Sequence, residues 1–170
     1  NFDYLKHKED NGFASNIPFK NFILIHLDEK WFNSTYIKHY KEINPSYEEF
    51  TNFINSLSKN NNVVITTGLV SNPLIDRLLL DSKNEITKNI LTFNIKENII
   101  IINKPTLLDL ESVLRHTQTL ISCHGALTHA AASFSIKIID IVEEGSDKLV
   151  QRYSLYIKNY YKIFRNNFKF

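Results

Sequence analysis

The run Thr119-Leu120-Ile121-Ser122-Cys123-His124-Gly125-Ala126-Leu127-Thr128-His129-Ala130-Ala131-Ala132-Ser133 decides the fold. It passes from an apolar segment of strand length, through one glycine, into small residues that favour helix. A strand-turn-helix step of this kind exposes backbone N–H groups at a helix start, which suits phosphate. The small residues let that helix lie close to a sheet and leave room for a ligand. A tight turn with no ligand is the plain alternative.

The same alternation extends in both directions. Upstream, Phe22–Leu27 and Asn62–Thr67 are apolar runs of strand length, the second closed by Gly68. Between them Tyr47, Phe50, Phe53, Ile54 and Leu57 recur at helical spacing, and Ser46 with Glu49 forms a capping-box signature. Pro73 opens a second helix carrying Leu74, Ile75, Leu78 and Leu79. Residues 81–98 are ambiguous, and Ile90–Phe93 reads either as a helix end or as a short extra strand. Ile99–Ile102 is a strand, because four β-branched residues in succession penalise helix. Thr106 caps a helix with Leu107, Leu110, Val113 and Leu114, and Ile136–Val142 makes the last strand. Leu149, Tyr153, Tyr156, Ile157, Tyr160 and Phe164 then predict one amphipathic helix running to near the C-terminus. Strands that are apolar on both faces and alternate with helices predict an α/β fold: a Rossmann-like parallel sheet with helices on both faces. The expected division is a lead-in over 1–20, a ligand-binding α/β domain over 21–146 and a basic aromatic helix over 147–170.

Composition narrows the function. The 170 residues carry 20 Lys+Arg against 18 Asp+Glu, and 43% are hydrophobic, as in ordinary globular chains. Six cations and no acid follow Asp147, which leaves a mildly acidic body and a basic C-terminal segment. That distribution argues against a nucleic-acid partner, which needs a basic face with aromatic residues on a reading surface. The single cysteine excludes an internal disulfide and a Cys-rich zinc site. The chain contains no Met and opens at Asn1, so it is read as a piece of a longer protein.

Ligands of open parallel sheets bind at the carboxyl ends of the strands. The informative residues therefore follow each apolar run: 26–31, 67–72, 104–106, 123–129 and 143–146. There is no Gly-x-Gly-x-x-Gly and no Gly-x-x-x-x-Gly-Lys-Ser/Thr, which disfavours a dinucleotide oxidoreductase and a P-loop nucleotidase. The absence of Asp-x-Asp removes the simplest metal-diphosphate clamp. Cys123 ends an apolar strand, so it is a poor nucleophile, and it alternates away from His124, so the two make a poor metal pair. His129 reads either as a ligand contact or as a hydrogen-bonded core histidine. Trp31-Phe32 reads as a packing anchor before a base-stacking platform.

At this segment the chain resembles the donor-binding, C-terminal half of GT-B glycosyltransferases, and most closely glycosyltransferase family nine, the ADP-heptose:lipopolysaccharide heptosyltransferases. That family shows a helix such as Leu-x-Glu-Leu/Val, an apolar strand, and then Asp-Ser/Thr-Gly-x-x-His-x-x-Ala-Ala. Leu107–Val113 and Leu120–Asp140 follow this order. His124, Gly125 and Ala126 stand at the Asp-Thr-Gly positions, Leu127 and Thr128 fill the variable pair, and His129 falls on the family's His. Ile25-His26 followed by Lys30-Trp31 resembles the family's His-Pro-Gly…Lys-x-Trp loop, and Thr67-Gly68 the loop after its second strand. The chain departs from the family at His124 and Ala126, and no Pro-Gly follows His26.

The resemblance implies a nucleotide-sugar donor held by Lys30, Gly68, His124, Gly125, Ala126, Thr128 and His129, with no bound metal or other cofactor. Lys30 would supply a charge, Thr128 a hydroxyl and His129 an imidazole N–H. Stabilising a leaving nucleoside diphosphate is the electrostatic task of such groups. The implied enzyme is a cytoplasmic glycosyltransferase of cell-surface polysaccharide or lipopolysaccharide synthesis. Its glycan or glycolipid acceptor and its catalytic base would lie on an N-terminal domain outside this chain. A sugar-nucleotide epimerase of the same two-domain plan and a non-catalytic Rossmann-like interaction module are the alternatives. For the basic C-terminal helix, packing on the sheet is preferred to peripheral contact with the inner face of a membrane.

Overall fold

The computed structural model describes residues 8–32, 43–87, 89–93 and 96–170. Residues 1–7 of the expected lead-in lie outside them. The described elements are β1 (Phe22–Leu27), α1 (Tyr47–Leu57), β2 (Asn62–Thr67), α2 (Pro73–Leu80), β3 (Ser82–Thr87), β4 (Ile90–Phe93) and β5 (Ile99–Ile102). They continue with α3 (Leu107–Leu114), β6 (Thr117–Cys123), α4 (Ala126–Ala132), β7 (Lys137–Val142), α5 (Asp147–Ser154) and β8 (Tyr160–Phe164).

All eight of these strands form one sheet in the order β3-β4-β5-β2-β1-β6-β7-β8. The six from β5 to β8 are mutually parallel. Counted by chain order among themselves, they run three-two-one-four-five-six, the order of Rossmann sheets. The hairpin β3-β4 extends the β5 edge in antiparallel sense.

Each parallel strand feeds two cores, which is why it reads as a continuous apolar run. In β5, Ile100 and Ile102 face one side with Leu24, Val64 and Leu120, under α3 and α4. Ile99 and Ile101 face the other with Ile25, Ile65 and Ile121, under α1 and α2. Each fully buried side chain of this size stabilises the fold by about 1.5–3 kcal/mol relative to exposure. The capping box predicted at Ser46–Glu49 fixes the start of α1, and the expected cap Thr106 starts α3 as part of a second box with Asp109.

Two elements differ from the sequence-based expectation. The C-terminal amphipathic helix is present but stops at Ser154, and the rest of its apolar stripe is not helical. Tyr160–Phe164 instead adds to the open edge of β7 as a sixth parallel strand, in register Asp140↔Lys162. Tyr-Tyr-Lys-Ile-Phe has strand propensity, and the edge supplies unpaired backbone groups. The lead-in is also packed. Ala14 and Ile17 are buried in the α3-side core, and the Ala14 N–H donates to Ser112 Oγ at 3.0 Å.

Candidate functional site

In a sheet of this order the connections leave in opposite directions between β1 and β6, opening a crevice at their carboxyl ends. Two turns meet there. The first is the short 3-10 turn Glu29–Trp31 after β1, capped by Asp28. Asp28 Oδ1 accepts the Lys30 N–H at 3.0 Å, and Oδ2 accepts Lys30 Nζ at 2.7 Å. Burial alone would lower the affinity of Lys30 for its proton, but Asp28 and Glu29 reverse this and hold its pKa above the ordinary value. Lys30 therefore stays charged.

The second turn is Cys123–Ala126. A Cβ placed on Gly125 would lie 2.5 Å from Lys30 Nζ, so the ammonium rests directly over this glycine. Gly125 has φ 179°, extended backbone that any residue adopts. What a larger residue would displace here is the end of the lysine side chain and not the main chain. Gly68, at the end of β2, buttresses the first turn from the other side: its Cβ would lie 2.9 Å from Asp28 Cα.

A buried carboxylate anchors the second turn. Asp140 on β7 is wholly buried. Its Oδ2 sits 2.5 Å from His124 Nδ1 and accepts the Tyr160 hydroxyl at 2.7 Å, while Oδ1 accepts Thr128 Oγ1 at 3.3 Å. His124 keeps a partly exposed ring, and its Nε2 has no protein partner among the described residues. His129 stands edge-on to His124 at 5.3 Å between ring centres and to Tyr153 at 6.2 Å. Burial, then the neighbouring His124, lowers its proton affinity.

The expected site residues therefore fall into three groups. Lys30, His124, Gly125 and His129 come together at the crevice, with exposed Ala126 at its rim. Thr128 is wholly buried, and its hydroxyl is engaged by the Gly125 N–H and by Asp140, so it shapes the turn from inside. Gly68 supports Asp28 and also lines an adjoining cleft of about 490 Å³. His26, Thr67, Thr106 and Leu107 line the same cleft. The His26 ring bonds Thr66 Oγ1 at 2.9 Å, and burial lowers its pKa. Trp31 is a packing anchor: it is fully buried and donates from Nε1 to the His26 carbonyl at 2.7 Å.

Sequence reasoning missed the roles of Asp140, Tyr160 and Arg165, and it included Asp28 only within the stretch 26–31 without singling it out. Asp140 had a signal, a lone acid between the apolar pairs Ile138-Ile139 and Ile141-Val142. Arg165 had none. Its guanidinium is buried, and it donates to the Lys30 carbonyl and, at 3.3 Å, to Cys123 Sγ. Burial pushes the Cys123 thiol well above its ordinary pKa, so it is held neutral and shielded. Among the described residues, no group of three or more His, Cys, Asp or Glu is placed to hold a metal ion. No described helix is long and apolar enough to cross a membrane.

No protein-family model and no curated protein matches the chain. Solved structures do. The UDP-GlcNAc 2-epimerase of Methanocaldococcus jannaschii aligns with TM-score 0.51 and 11% identity, over 91% of this chain and 38% of that one. A protein described as a UDP-N-acetylglucosamine 2-epimerase from Listeria monocytogenes aligns with TM-score 0.51 and 11% identity, over 88% of this chain and 37% of that one. The chain thus spans well under half the length of either structure. At this identity the likeness is one of fold, a GT-B-like Rossmann unit. It does not single out the heptosyltransferases within that class.

Proposed function

We propose that this chain is the nucleotide-sugar-binding half of a two-domain GT-B-like enzyme. The observation that supports it is the meeting of two turns at the β1/β6 crevice. A cation kept charged by Asp28 rests over Gly125, beside the exposed edge of His124 and the His129 ring. A fixed ammonium with imidazole groups beside it suits the diphosphate of a nucleotide sugar, and it stabilises that group as it leaves.

On the transferase reading the donor is a nucleoside-diphosphate sugar bound without metal, as the family resemblance implies. The acceptor is then a glycan or glycolipid held by a second domain, and the enzyme works at the cytoplasmic face of the cell surface it builds. The epimerase reading is favoured by a separate observation, since both structural relatives carry that name. There the same half holds the nucleotide while an acid in the second half acts on the sugar.

Titration of UDP, ADP and their sugars into the chain and its intact parent tests binding. The amide signals of Gly125–His129 should move, and Lys30→Gln should shift the response to about tenfold higher ligand concentration or beyond. An intact parent that binds none of them at millimolar concentration overturns the proposal. Incubating the parent with UDP-GlcNAc and no acceptor separates the readings, because only an epimerase converts the sugar.

A further inference from the structure

We propose that Tyr160 and Arg165, the start of β8 and the residue just after it, are positioning residues that hold the two ligand-facing turns in place. This rests on the nucleotide-site reading above. Neither residue needs to touch the ligand. Each reaches a group that does.

Tyr160 acts on the second turn. Its hydroxyl donates to Asp140 Oδ2 at 2.7 Å, the same oxygen that faces His124 Nδ1 at 2.5 Å. Asp140 is wholly buried, so no solvent can replace a lost donor. A carboxylate held by Tyr160 and Thr128 fixes the plane of the His124 ring and keeps its Nδ1 side committed. That leaves Nε2 as the ligand-facing nitrogen. Without the phenol the carboxylate keeps its place on β7 but loses one of the two hydroxyls that set its orientation.

Arg165 acts on the first turn. Its guanidinium donates to the Lys30 carbonyl and, at 3.3 Å, to Cys123 Sγ, and its Nε lies 3.7 Å from Glu143 Oε2. One planar fork thus ties the turn after β1 to the ends of β6 and β7. A lysine's single ammonium cannot span the same set. The chain continues from Arg165 across this edge of the sheet. Phe168 and Phe170 pack on the Trp31 ring at 5.7 and 6.2 Å, so the residue next to Lys30 is clamped as well. An apolar residue would fill the Arg165 site without desolvating a charge. The guanidinium's contacts lead to the Lys30 and Cys123 turns, which gives its placement a use beyond packing.

The experiment compares Tyr160→Phe, Arg165→Lys and Arg165→Ala with the unaltered chain and with Lys158→Ala, an exposed control. UDP affinity is measured by calorimetry. The His124 ring nitrogens and the Lys30 and Trp31 amides are followed by NMR in the folded proteins. Tyr160→Phe should move the His124 ring signals and weaken UDP binding about 3- to 10-fold. Arg165→Lys should move the Lys30 and Trp31 amides and weaken binding nearly as much as Arg165→Ala, because charge without the fork does not restore the contacts. Lys158→Ala should change neither. UDP binding and signals equal to the unaltered chain in Tyr160→Phe and Arg165→Lys overturn the inference. If the unaltered chain binds no UDP, the nucleotide reading is what fails. The ring and amide signals then still decide the positioning claim: movement upholds it and its absence refutes it.

Discussion

Gly68→Ala and Gly125→Ala look alike in sequence, yet the structure separates them. At Gly68 the added methyl meets main chain, 2.9 Å from Asp28 Cα and 3.2 Å from Asp28 Cβ. Backbone in a turn that also caps Lys30 cannot move aside cheaply, so overpacking costs about 1–3 kcal/mol. Reduced freedom of the unfolded chain offsets about 0.4–1 kcal/mol of this. The net loss is about 1–2 kcal/mol, which for a domain of this size lowers Tm by roughly 2–8 °C. At Gly125 the methyl meets only the end of a flexible side chain, Lys30 Nζ at 2.5 Å, with the nearest main-chain atom, Cys123 O, at 3.8 Å. Lysine can swing away, and the unfolded-state gain covers much of that shift, so stability should stay within about 1 kcal/mol of the parent. The ammonium, however, leaves the turn it covers. UDP affinity should fall about tenfold, the worth of one charge-assisted hydrogen bond. Urea unfolding followed by circular dichroism reads the first effect and calorimetry the second. A Gly125→Ala protein as unstable as Gly68→Ala, or a Gly68→Ala protein of full stability, would refute the close-approach argument.

The remaining predictions concern groups whose protons the fold controls. His26 is kept neutral by burial, below its ordinary 6.5, while the unfolded chain takes up a proton as the pH falls through that value. Stability should therefore decline on acidification below about pH 6.5, by at most about 1.4 kcal/mol per pH unit from this group, and His26→Gln should flatten the profile between pH 7 and 5. Cys123 is buried with its thiol pKa raised, so native protein should react with a disulfide reagent about a hundredfold or more slowly than protein in urea. Equal rates would contradict its burial. Tyr47 is pushed up to about 12 by burial and by its hydrogen bond to Asp81, so its phenol should ionise late in an alkaline absorbance titration. Tyr47→Phe should remove that late step, and its persistence would show that another tyrosine carries it.

Much of this architecture is legible along the chain because burial on both faces leaves a plain mark. Phe22–Leu27, Asn62–Thr67 and Ile99–Ile102 read as buried strands, Thr119–Cys123 and Ile136–Val142 read as strands around the apolar pairs Leu120-Ile121 and Ile138-Ile139, and each falls on a strand of the parallel sheet. Ser46 and Thr106 announce their helices through local hydrogen bonds that need no distant partner. Ser82–Thr87 left no such mark, since a polar strand at an antiparallel edge has little apolar surface to bury.

The C-terminal segment shows where local reasoning stops. Leu149, Tyr153, Tyr156, Ile157, Tyr160 and Phe164 keep helical spacing with no Gly or Pro to interrupt it. Only the free edge of β7, built from residues far upstream, turns Tyr160–Phe164 into strand. The site divides in the same way. Sequence alone nominated the stretches 26–31 and 123–129, because each follows an apolar run and so lies at a strand's carboxyl end, and the family resemblance picked out Lys30, His124 and His129 within them. That Lys30 lies over Gly125, that Asp140 holds His124, and that Arg165 ties three strand ends together depend on contacts between residues up to 135 positions apart. Hydrophobic period is a property of neighbours in the chain, and it marked the central strands β1, β2, β5, β6 and β7 and the helices between them. Ion pairs and shared hydrogen bonds are properties of neighbours in space, and only the tertiary structure decided them.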